Sequence, residues 1–412
     1  MISSDYATIK LGPKYVEALS GKTQYCNENS NMIKVRPPKQ NDGVDASINL
    51  LRSLHNVKRE KQGLTGEKNI SEVSGMEFWY DKEELQFLYY VPNDEIENDF
   101  RRQIDGYFKG SRIESERDRF ITVNEGDYIS GADVWLSNHY FEPIRNKEGV
   151  EEWDDPYQML FNGIDTRDAT RTFIQILFKP AEEEWTRTPF MKVDDYAEDF
   201  QAEKTDSSLG GLISTTRDAT QQEVDYASKI TQQAGRPAFY VNIRFVIVSQ
   251  NEEETIRQAE NVERLFNVGY REVSGQTLEA NPAKTEDELS ELIRKMAARE
   301  ATNMQQPSGY LEHWKHANFA DHRKRMIMTL TEVAGITHFP TSKEVESNAI
   351  SWTDTPVEGS LPHNAQRFVR LTREERKAQL NRWKDLKDEI RDDFDITEED
   401  MNLANGRPNL QE

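Results

Sequence analysis

Residues 76–108, MEFWYDKEELQFLYYVPNDEIENDFRRQIDGYF, decide the fold class of this 412-residue chain. Met76–Tyr80 and Leu85–Val91 are rich in aromatic and aliphatic residues and are separated by the charged stretch DKEE, which predicts a β-hairpin. Pro92 ends the second strand, because proline cannot donate a hydrogen bond to a sheet. Asn93 and the acidic residues after it predict the start of a helix, where free amide groups need acceptors.

The helix that follows this hairpin is predicted to continue to residue 108. Ile96, Phe100 and Ile104 recur at helical spacing and predict one apolar face. A further strand is predicted either near Arg112 or over Phe120–Val123, and another is predicted over Ala132–Leu136, so the order of elements is β-β-α-β. That order is part of a ferredoxin-like α/β sandwich.

A second segment repeats this alternation. Ala238–Ser249, AFYVNIRFVIVS, is the strongest predicted strand in the chain. Helices are predicted around it at Gln221–Gln233, Glu252–Asn267 and Glu286–Arg299. The sequence therefore predicts an α+β fold with two ferredoxin-like α/β sandwich units, which indicates a weak internal duplication.

The remaining segments differ from these two units in composition. Proline, glycine and asparagine clusters before residue 76 predict an extended N-terminal arm, and apolar residues at helical spacing after residue 372 predict a C-terminal amphipathic helix. We divide the chain into an arm at 1–75, a first sandwich unit at 76–193, a polar insertion at 194–218, a second sandwich unit at 219–300, a mixed connector at 301–370, and a C-terminal helix and tail at 371–412.

The charge balance limits the partners of the chain. It has 52 basic and 74 acidic residues and a net charge of −22, so any DNA contact must depend on shape or on a local basic patch. The acidic residues are spread along the chain, which is typical of a halophilic source. No apolar run is long enough for a transmembrane segment. We expect a protein that is cytoplasmic or assembled at a membrane channel.

No sequence motif predicts catalysis. Ser20-Gly21-Lys22-Thr23 ends like a phosphate-binding P-loop, but Val16 stands where the first glycine is required, and no apolar strand precedes it. The single cysteine in the chain excludes a cluster of thiolate metal ligands. We therefore predict no catalytic residue, no bound cofactor, no metal ion and a non-enzymatic protein.

Two groups of residues are candidates for contacts with partners. Aromatic side chains dominate the energetics of many interfaces, and the candidates for an oligomer interface are Phe339, Trp352 and Trp383. Clusters of basic residues can contact DNA phosphates or an acidic partner, and the candidates here are Lys58, Arg59, Lys61, Arg323, Lys324 and Arg325. The alternatives stay open, since the aromatic residues also suit a core and the charges also suit surface ion pairs.

Four stretches of the chain resemble, in order, one protein family. They are residues 77–111, with FLYYVPNDEIENDFRRQIDGYF; residues 155–185, with DPYQMLFNGI and TFIQILFKPAEEEW; residues 238–269; and residues 330–362, with LTEVAGITHFPTSKEVESNAISW. Together they resemble the N-terminal, non-ATPase module of the TraC-like, HerA-related conjugation ATPases of type IV secretion. The family's motor and its P-loop are not expected in this chain, so no catalytic residue is carried over.

The resemblance implies a function in DNA transport. In that family the module docks the motor onto a translocation channel and supports ring assembly. It implies a structural subunit that forms a homo-oligomeric ring of six or twelve copies around a conduit for double-stranded DNA, powered by a separate ATPase. Two alternatives remain: the portal, or head-tail connector, of a haloarchaeal tailed virus, which would place the chain in a virion, and a regulatory subunit of a split HerA-like ATPase.

Overall fold

The computed structural model describes residues 5–20, 31–62, 66–81, 84–116, 122–147, 153–163, 170–187, 192–202, 204–208, 213–272, 275–305, 325–343, 345 and 349–353. These residues have an α+β fold built on a large antiparallel sheet of ten strands, which confirms the α+β part of the predicted fold. The predicted C-terminal helix and tail at 371–412 lie outside the described residues.

The described residues contain fourteen strands, nine α-helices and one short 3-10 helix at Glu183–Thr186. The strands are β1 Ile9–Lys10, β2 Asn31–Arg36, β3 Arg59–Gln62, β4 Gly66–Asn69, β5 Ser74–Asp81, β6 Glu84–Val91, β7 Arg112–Glu116, β8 Tyr128–Leu136, β9 Arg171–Pro180, β10 Lys204–Ser208, β11 Ile213–Arg217, β12 Ala238–Ser249, β13 Leu278–Pro282 and β14 Met326–Thr329. The helices are α1 Pro13–Ser20, α2 Gly43–Leu54, α3 Asp94–Tyr107, α4 Pro156–Gly163, α5 Val193–Gln201, α6 Gln221–Thr231, α7 Glu252–Gly269, α8 Glu286–Ala297 and α9 Leu330–Thr337.

Ten of the strands form one antiparallel sheet. Across the sheet the order is β13, β8, β12, β9, β5, β6, β2 and β7. β1 lies beside the first residues of β8, on the same edge as β13, and β14 pairs with the first residues of β12. The other described strands form two separate hairpins, β3–β4 and β10–β11.

The chain builds this sheet from two repeats of the same topology. β2, α2, β5, β6, α3 and β7 follow the order β-α-β-β-α-β, and β8, α4, β9, β12, α7 and β13 follow it again, with other elements inserted. In both repeats the strands lie side by side in the order fourth, first, third, second. The repeats meet where their second strands, β5 and β9, pair antiparallel, and we call this contact the seam.

The repeats do not follow the predicted boundaries. β2 pairs with β6 and β7 in the main sheet, so the prediction of an extended arm is wrong for residues 31–36, and α2 after it buries one face. β8 lies between β12 and β13, so strands from the predicted units at 76–193 and 219–300 alternate within one sheet. The predicted polar insertion at 194–218 contains most of α5 and the β10–β11 hairpin.

The strongest local predictions are confirmed. The hairpin and helix predicted over 76–108 are β5, β6 and α3, and Asn93 caps α3 by accepting a hydrogen bond from Ile96 N at 3.0 Å. The strand predicted at Ala238–Ser249 is β12, with the same bounds. In the described part of the chain, no helix is both long enough and apolar enough to cross a bilayer.

β12 is buried along its whole length because helices cover both faces of the sheet. Phe245 contacts the ring of Phe266 in α7 on one face. Its neighbour Val246 lies opposite Gly131 of β8 on the other face, where Leu292 of α8 packs. A strand that is buried on both faces has a continuous apolar sequence, which explains AFYVNIRFVIVS.

Gly131 sets how closely α8 approaches the sheet. A Cβ atom at this position would lie 2.4 Å from Phe245 O and 3.0 Å from Leu292 Cδ2. Phe245 O belongs to the backbone of a paired central strand, so it cannot move away by itself. A glycine at this point of a strand allows another part of the chain to approach closely.

Gly131→Ala is expected to lower the free energy of unfolding by about 1–3 kcal/mol, because the added methyl group overpacks the β8–α8 contact. Gly106→Ala in α3 is the matched control. A Cβ atom there would meet no atom within 4 Å, and alanine favours the helix over glycine by up to about 1 kcal/mol. In urea denaturation, Gly131→Ala should lower the free energy of unfolding and Gly106→Ala should raise it. Equal changes in the two variants would contradict the close contact between β8 and α8.

Glu332 fixes the start of α9 from a fully buried position. Its carboxylate accepts hydrogen bonds from Thr329 N and Thr329 Oγ1, both at 2.7 Å, and from Ile144 N at 2.8 Å. Burial raises the pKa of Glu332 to about 7, although the hydrogen bonds oppose the shift. This side chain therefore changes its charge close to neutral pH.

The raised pKa of Glu332 predicts how stability depends on pH. The folded state binds more protons than the unfolded state between the ordinary pKa of 4.5 and about 7. The stability gained from the protonated form is complete below pH 4.5 and is lost as the pH rises through 7. Glu332→Gln should flatten the fall in unfolding free energy over this range, measured by urea denaturation at several pH values.

Glu223→Gln is the matched control for this prediction. Glu223 occupies the same capping position in α6, but it is partly exposed, and Arg217 lowers its pKa. Its charge is therefore constant over the range in which Glu332 titrates. If Glu332→Gln leaves the pH dependence of the unfolding free energy unchanged, or if both variants change it equally, Glu332 is not the group that titrates in this range.

Candidate functional site

One face of the sheet carries a row of mainly polar side chains that crosses both repeats. Strand register places these residues directly opposite one another, so their side chains leave the sheet on the same face. We call this set the polar row, and from β13 to β7 its members are Asn281, Asp133, Arg244, Gln175, Glu77, Leu88, Lys34 and Glu114. The row crosses the seam between Gln175 and Glu77.

Arg244 is the buried cation of the row in the second repeat, with 0% of its surface exposed. Its guanidinium donates hydrogen bonds to Thr302 Oγ1 at 2.6 Å, to Glu300 O at 2.8 Å and to Asp133 Oδ1 at 3.3 Å. Burial lowers the pKa of Arg244, and the Asp133 carboxylate opposes that shift. A buried charge is tolerated when it is paired and hydrogen-bonded in this way.

Glu77 occupies the centre of the row, at the seam. Its Oε1 accepts hydrogen bonds from Gln175 Nε2 and from Arg299 Nε, both at 2.9 Å, and its Oε2 accepts one from Trp79 Nε1 at 3.0 Å. The side chains of Glu77 and Arg299 are only 4% and 3% exposed. Gln175 Oε1 accepts from Arg244 Nη1 at 3.4 Å, so polar groups link the two repeats.

Arg299 reaches Glu77 from the segment that follows α8. Its φ is 48°, and that of Asn303 is 57°, a left-handed conformation that residues other than glycine adopt rarely. The guanidinium carbon of Arg299 lies 4.9 Å from the centre of the Tyr90 ring. Backbone strain persists where surrounding contacts hold it, and here the ion pair with Glu77 and the Tyr90 ring provide those contacts.

A second buried polar centre lies on the opposite face, where α4 begins and α9 ends. His338 Nε2 and Asp155 Oδ2 are 2.8 Å apart, and both side chains are 0% exposed. The ring of Tyr157 stacks on the imidazole with 4.2 Å between centroids, and His338 Nδ1 lies 3.1 Å from Gly335 O. The pair joins two distant segments and is sealed from solvent.

Buried tyrosines complete this centre by satisfying the last carbonyl groups of α9. These are Tyr89, Tyr157 and Tyr270, and burial raises the pKa of each phenol, so all three remain neutral donors. Carbonyl groups at a helix end have no partner within the helix and need such donors when they are buried. The hydroxyl groups donate in the following pairs: Tyr270 to Gly335 O at 3.4 Å, Tyr157 to Ile336 O at 2.8 Å and Tyr89 to Thr337 O at 3.3 Å.

Most of the chain matches one family model. Residues 2–353 match the model described as Domain of unknown function (DUF8128). The chain belongs to the DUF8128 family. Both repeats, the polar row and the Asp155–His338 pair lie within the matched residues. A comparison with curated proteins gave no match.

In the described part of the DUF8128 region, no three side chains of His, Cys, Asp or Glu lie close enough together to hold a metal ion. The acidic side chains of the polar row instead pair with guanidinium groups, such as Glu77 Oε1 with Arg299 Nε at 2.9 Å and Asp133 Oδ1 with Arg244 Nε at 3.3 Å. These pairs stabilise the sheet.

The aromatic candidates for an oligomer interface have different outcomes in the DUF8128 region. Phe339 is fully buried, and its ring contacts Phe87 and Phe108, so its prediction as an interface residue is wrong and it belongs to the core. Trp352 is partly buried against the same core and stays a candidate. Trp383 lies outside the described residues.

The first basic cluster lies at the exposed β3–β4 hairpin. Lys58, Arg59 and Lys61 are all exposed. Arg59 forms ion pairs with Glu184 at 2.8 Å and with Glu67 at 3.2 Å, and these carboxylates raise its pKa. One of the three charges is thus neutralised within the chain. Their contact with DNA or a partner stays a prediction.

The second basic cluster is described only in part. Arg325 is partly buried just before β14. Arg323 and Lys324 lie outside the described residues. A contact of these three residues with DNA or a partner stays a prediction.

Sequence reasoning missed the polar row. Its central members are single polar residues within apolar runs: Glu77 in GMEFWY, Gln175 in TFIQILF and Arg244 in VNIRFVIV. That interruption was the available signal, because a polar group in a buried strand needs a partner. Sequence spacing does not show which strands are neighbours, so it could not bring the three together.

Arg299→Met is expected to lower the free energy of unfolding by about 3–5 kcal/mol, because it leaves the Glu77 carboxylate buried without its cation. The double variant Glu77→Gln, Arg299→Met should lose less than the sum of the two single variants. Urea denaturation of the unchanged chain, the two single variants and the double variant measures the coupling energy between Glu77 and Arg299.

Arg294→Met is the control for this cycle. Arg294 forms an ion pair with Glu291 at 2.7 Å, but both side chains are largely exposed. Such surface pairs contribute less than about 1 kcal/mol. Additive effects of the substitutions at Glu77 and Arg299 would contradict a direct role of their ion pair.

Proposed function

We propose that this chain is a non-enzymatic structural subunit that assembles with copies of itself into a ring around a DNA-translocation conduit. Two ferredoxin-like units form its body, and a separate ATPase supplies the energy. The proposal rests on the resemblance to the non-ATPase module of the TraC-like conjugation ATPases. Three features of the chain support it.

The observation that carries the proposal is the sealed Asp155–His338 pair. Its two residues belong to separate stretches of the resemblance, Asp155-Pro156 at the start of α4 and His338-Phe339-Pro340 after α9. Their acid and base groups face each other at 2.8 Å with 0% exposure. A general acid or base must reach its substrate, so this pair suits a scaffold, in which it holds distant segments together.

The two ends of the sheet also favour association with copies of the chain. Among the described strands, β7 pairs only with β2, and β13 pairs only with β8. The outer edges therefore differ and lie at opposite ends of the sheet. Contacts between unlike surfaces of identical subunits form rings when the rotation between neighbours closes.

The net charge of −22 is the third supporting feature. Like charges repel, so an acidic subunit lets a polyanion pass without binding tightly to the wall. A conduit for DNA needs this property along its length. Local basic patches would then position the DNA without retaining it.

Light scattering or mass photometry in molar salt tests the ring. Rings predict about 287 kDa for six copies of the 47.8 kDa chain and about 574 kDa for twelve. Averaged electron micrographs then give the symmetry, where six-fold rings favour the secretion-type assembly and twelve-fold rings favour the portal alternative. A chain that stays monomeric at every salt concentration, with and without double-stranded DNA, would contradict the ring.

ATP hydrolysis tests the non-enzymatic assignment separately. The purified chain is expected to release no phosphate from ATP above the buffer rate, and Lys22→Ala should behave like the unchanged protein. Lys22 is the lysine of the incomplete P-loop sequence. Hydrolysis that is abolished by Lys22→Ala would show an ATPase site and overturn the assignment.

A further inference from the structure

The first described residues of the chain pack against the second repeat, and we call residues 5–20 the N-terminal segment. β1, within this segment, pairs with the first residues of β8. The side chains of Tyr6, Ile9 and Leu11 are buried. Tyr6 Oη donates a hydrogen bond to Glu263 Oε2 of α7 at 2.9 Å. The segment is therefore anchored by apolar side chains that fill a groove beside β8.

Few backbone hydrogen bonds join this segment to the sheet. Ala7 N donates to Ala283 O at 2.8 Å, and Leu11 N donates to Asp127 O at 2.7 Å. Gly126 N donates to Leu11 O at 2.8 Å. The partners all lie in or directly beside the second repeat. Since β1 is a two-residue strand at the edge, its removal leaves the pairing of the other strands intact.

The chain that follows the segment has to cross to the first repeat. α1, the last part of the segment, lies beside α8, where Tyr15 Oη and Ser290 Oγ are 3.3 Å apart. α8 itself packs on β8. The next described strand is β2, in the first repeat. The eleven peptide units from Ser20 to Asn31 make this connection and can span at most about 40 Å.

The distance to be crossed is shorter between copies than within one chain. Within the chain, five strand spacings separate β2 from β8, which is about 24 Å. In the proposed ring, unlike edges meet, so β7 of one copy lies beside β13 of the next. β2 is then three spacings from the neighbour's β8, or about 14 Å. The connection can reach either groove, and the neighbour's groove is closer.

We propose that assembled copies exchange their N-terminal segments, so that residues 5–20 of each copy pack on the second repeat of the next copy. An unassembled chain closes on itself, with its own segment in its own groove. The same contacts form in both states, which makes the exchange of an identical element a low-cost route to assembly. The exchange rests on the proposed ring and specifies how neighbouring copies are joined.

A disulfide between the segment and its groove tests the exchange. Lys10 lies directly opposite Tyr128 in the register of β1 and β8, and opposite residues of antiparallel strands are close enough for a disulfide. Lys10 is exposed and Tyr128 is half-buried, so Lys10→Cys with Tyr128→Cys is expected to fold normally. Cys26→Ser removes the single native thiol from this variant.

Oxidation of the assembled variant should link one copy to the next. A denaturing gel without reductant is then expected to show a ladder of multiples of the 47.8 kDa chain. The matched control is Lys61→Cys with Glu67→Cys, also with Cys26→Ser. Lys61 and Glu67 are opposite each other in the exposed β3–β4 hairpin, so their disulfide forms within one chain. The control should migrate only at 47.8 kDa.

Light scattering on the same sample before oxidation separates this proposal from the proposed function. Rings whose disulfides form only within single chains would overturn the exchange and leave the ring standing, and rings in which no disulfide forms would do the same. Cross-linked dimers without rings would support exchange between two copies and contradict the ring. A protein that is monomeric and cross-linked only within the chain would overturn both.

Discussion

The buried ion pair between Glu77 and Arg299 constrains the rest of the structure. A carboxylate removed from water needs both a counter-charge and hydrogen bonds, and Glu77 obtains them from opposite directions. Gln175 provides one bond across the seam, and Arg299 provides the charge from the segment after α8. The register of the two repeats is fixed as a result, because a shift of one residue would turn Glu77 to the other face of the sheet.

The local elements of this fold were predictable, and their arrangement was not. The hairpin, α3 and β12 are specified by residues close together in the sequence, through apolar periodicity and the Asn93 cap. The place of β2 depends on pairing with β6 and β7, more than fifty residues later in the chain. Its short sequence NMIKVR includes two basic residues and carries little strand signal, so the segment was predicted as an arm. Pairing partners of this kind are set by the whole core.

The candidate site was likewise predictable in its individual residues but not in how they come together. Phe339 illustrates why aromatic residues are ambiguous in a sequence, since a buried ring and an interface ring require the same side chain. The structure resolves this by placing Phe339 between α3 and the sheet, against Phe87 and Phe108. Asp155 and His338 were part of the sequence resemblance, but they are 183 residues apart, and only the folded chain brings them together. The role of a polar residue in a strand, or of a motif residue in a loop, therefore depends on which residues it contacts in the folded chain.

The seam has a consequence for the origin of the chain. A two-fold rotation about the seam would place each strand of one repeat on the equivalent strand of the other. It relates Glu77 to Gln175 and Lys34 to Asp133. This is the relation between identical subunits in an isologous dimer, with the two-fold axis perpendicular to the sheet. Duplication and fusion of the gene of a homodimer would produce this arrangement. Once the halves shared one polypeptide they would no longer have to be identical, and equivalent positions now differ, as Arg244 and Leu88 do.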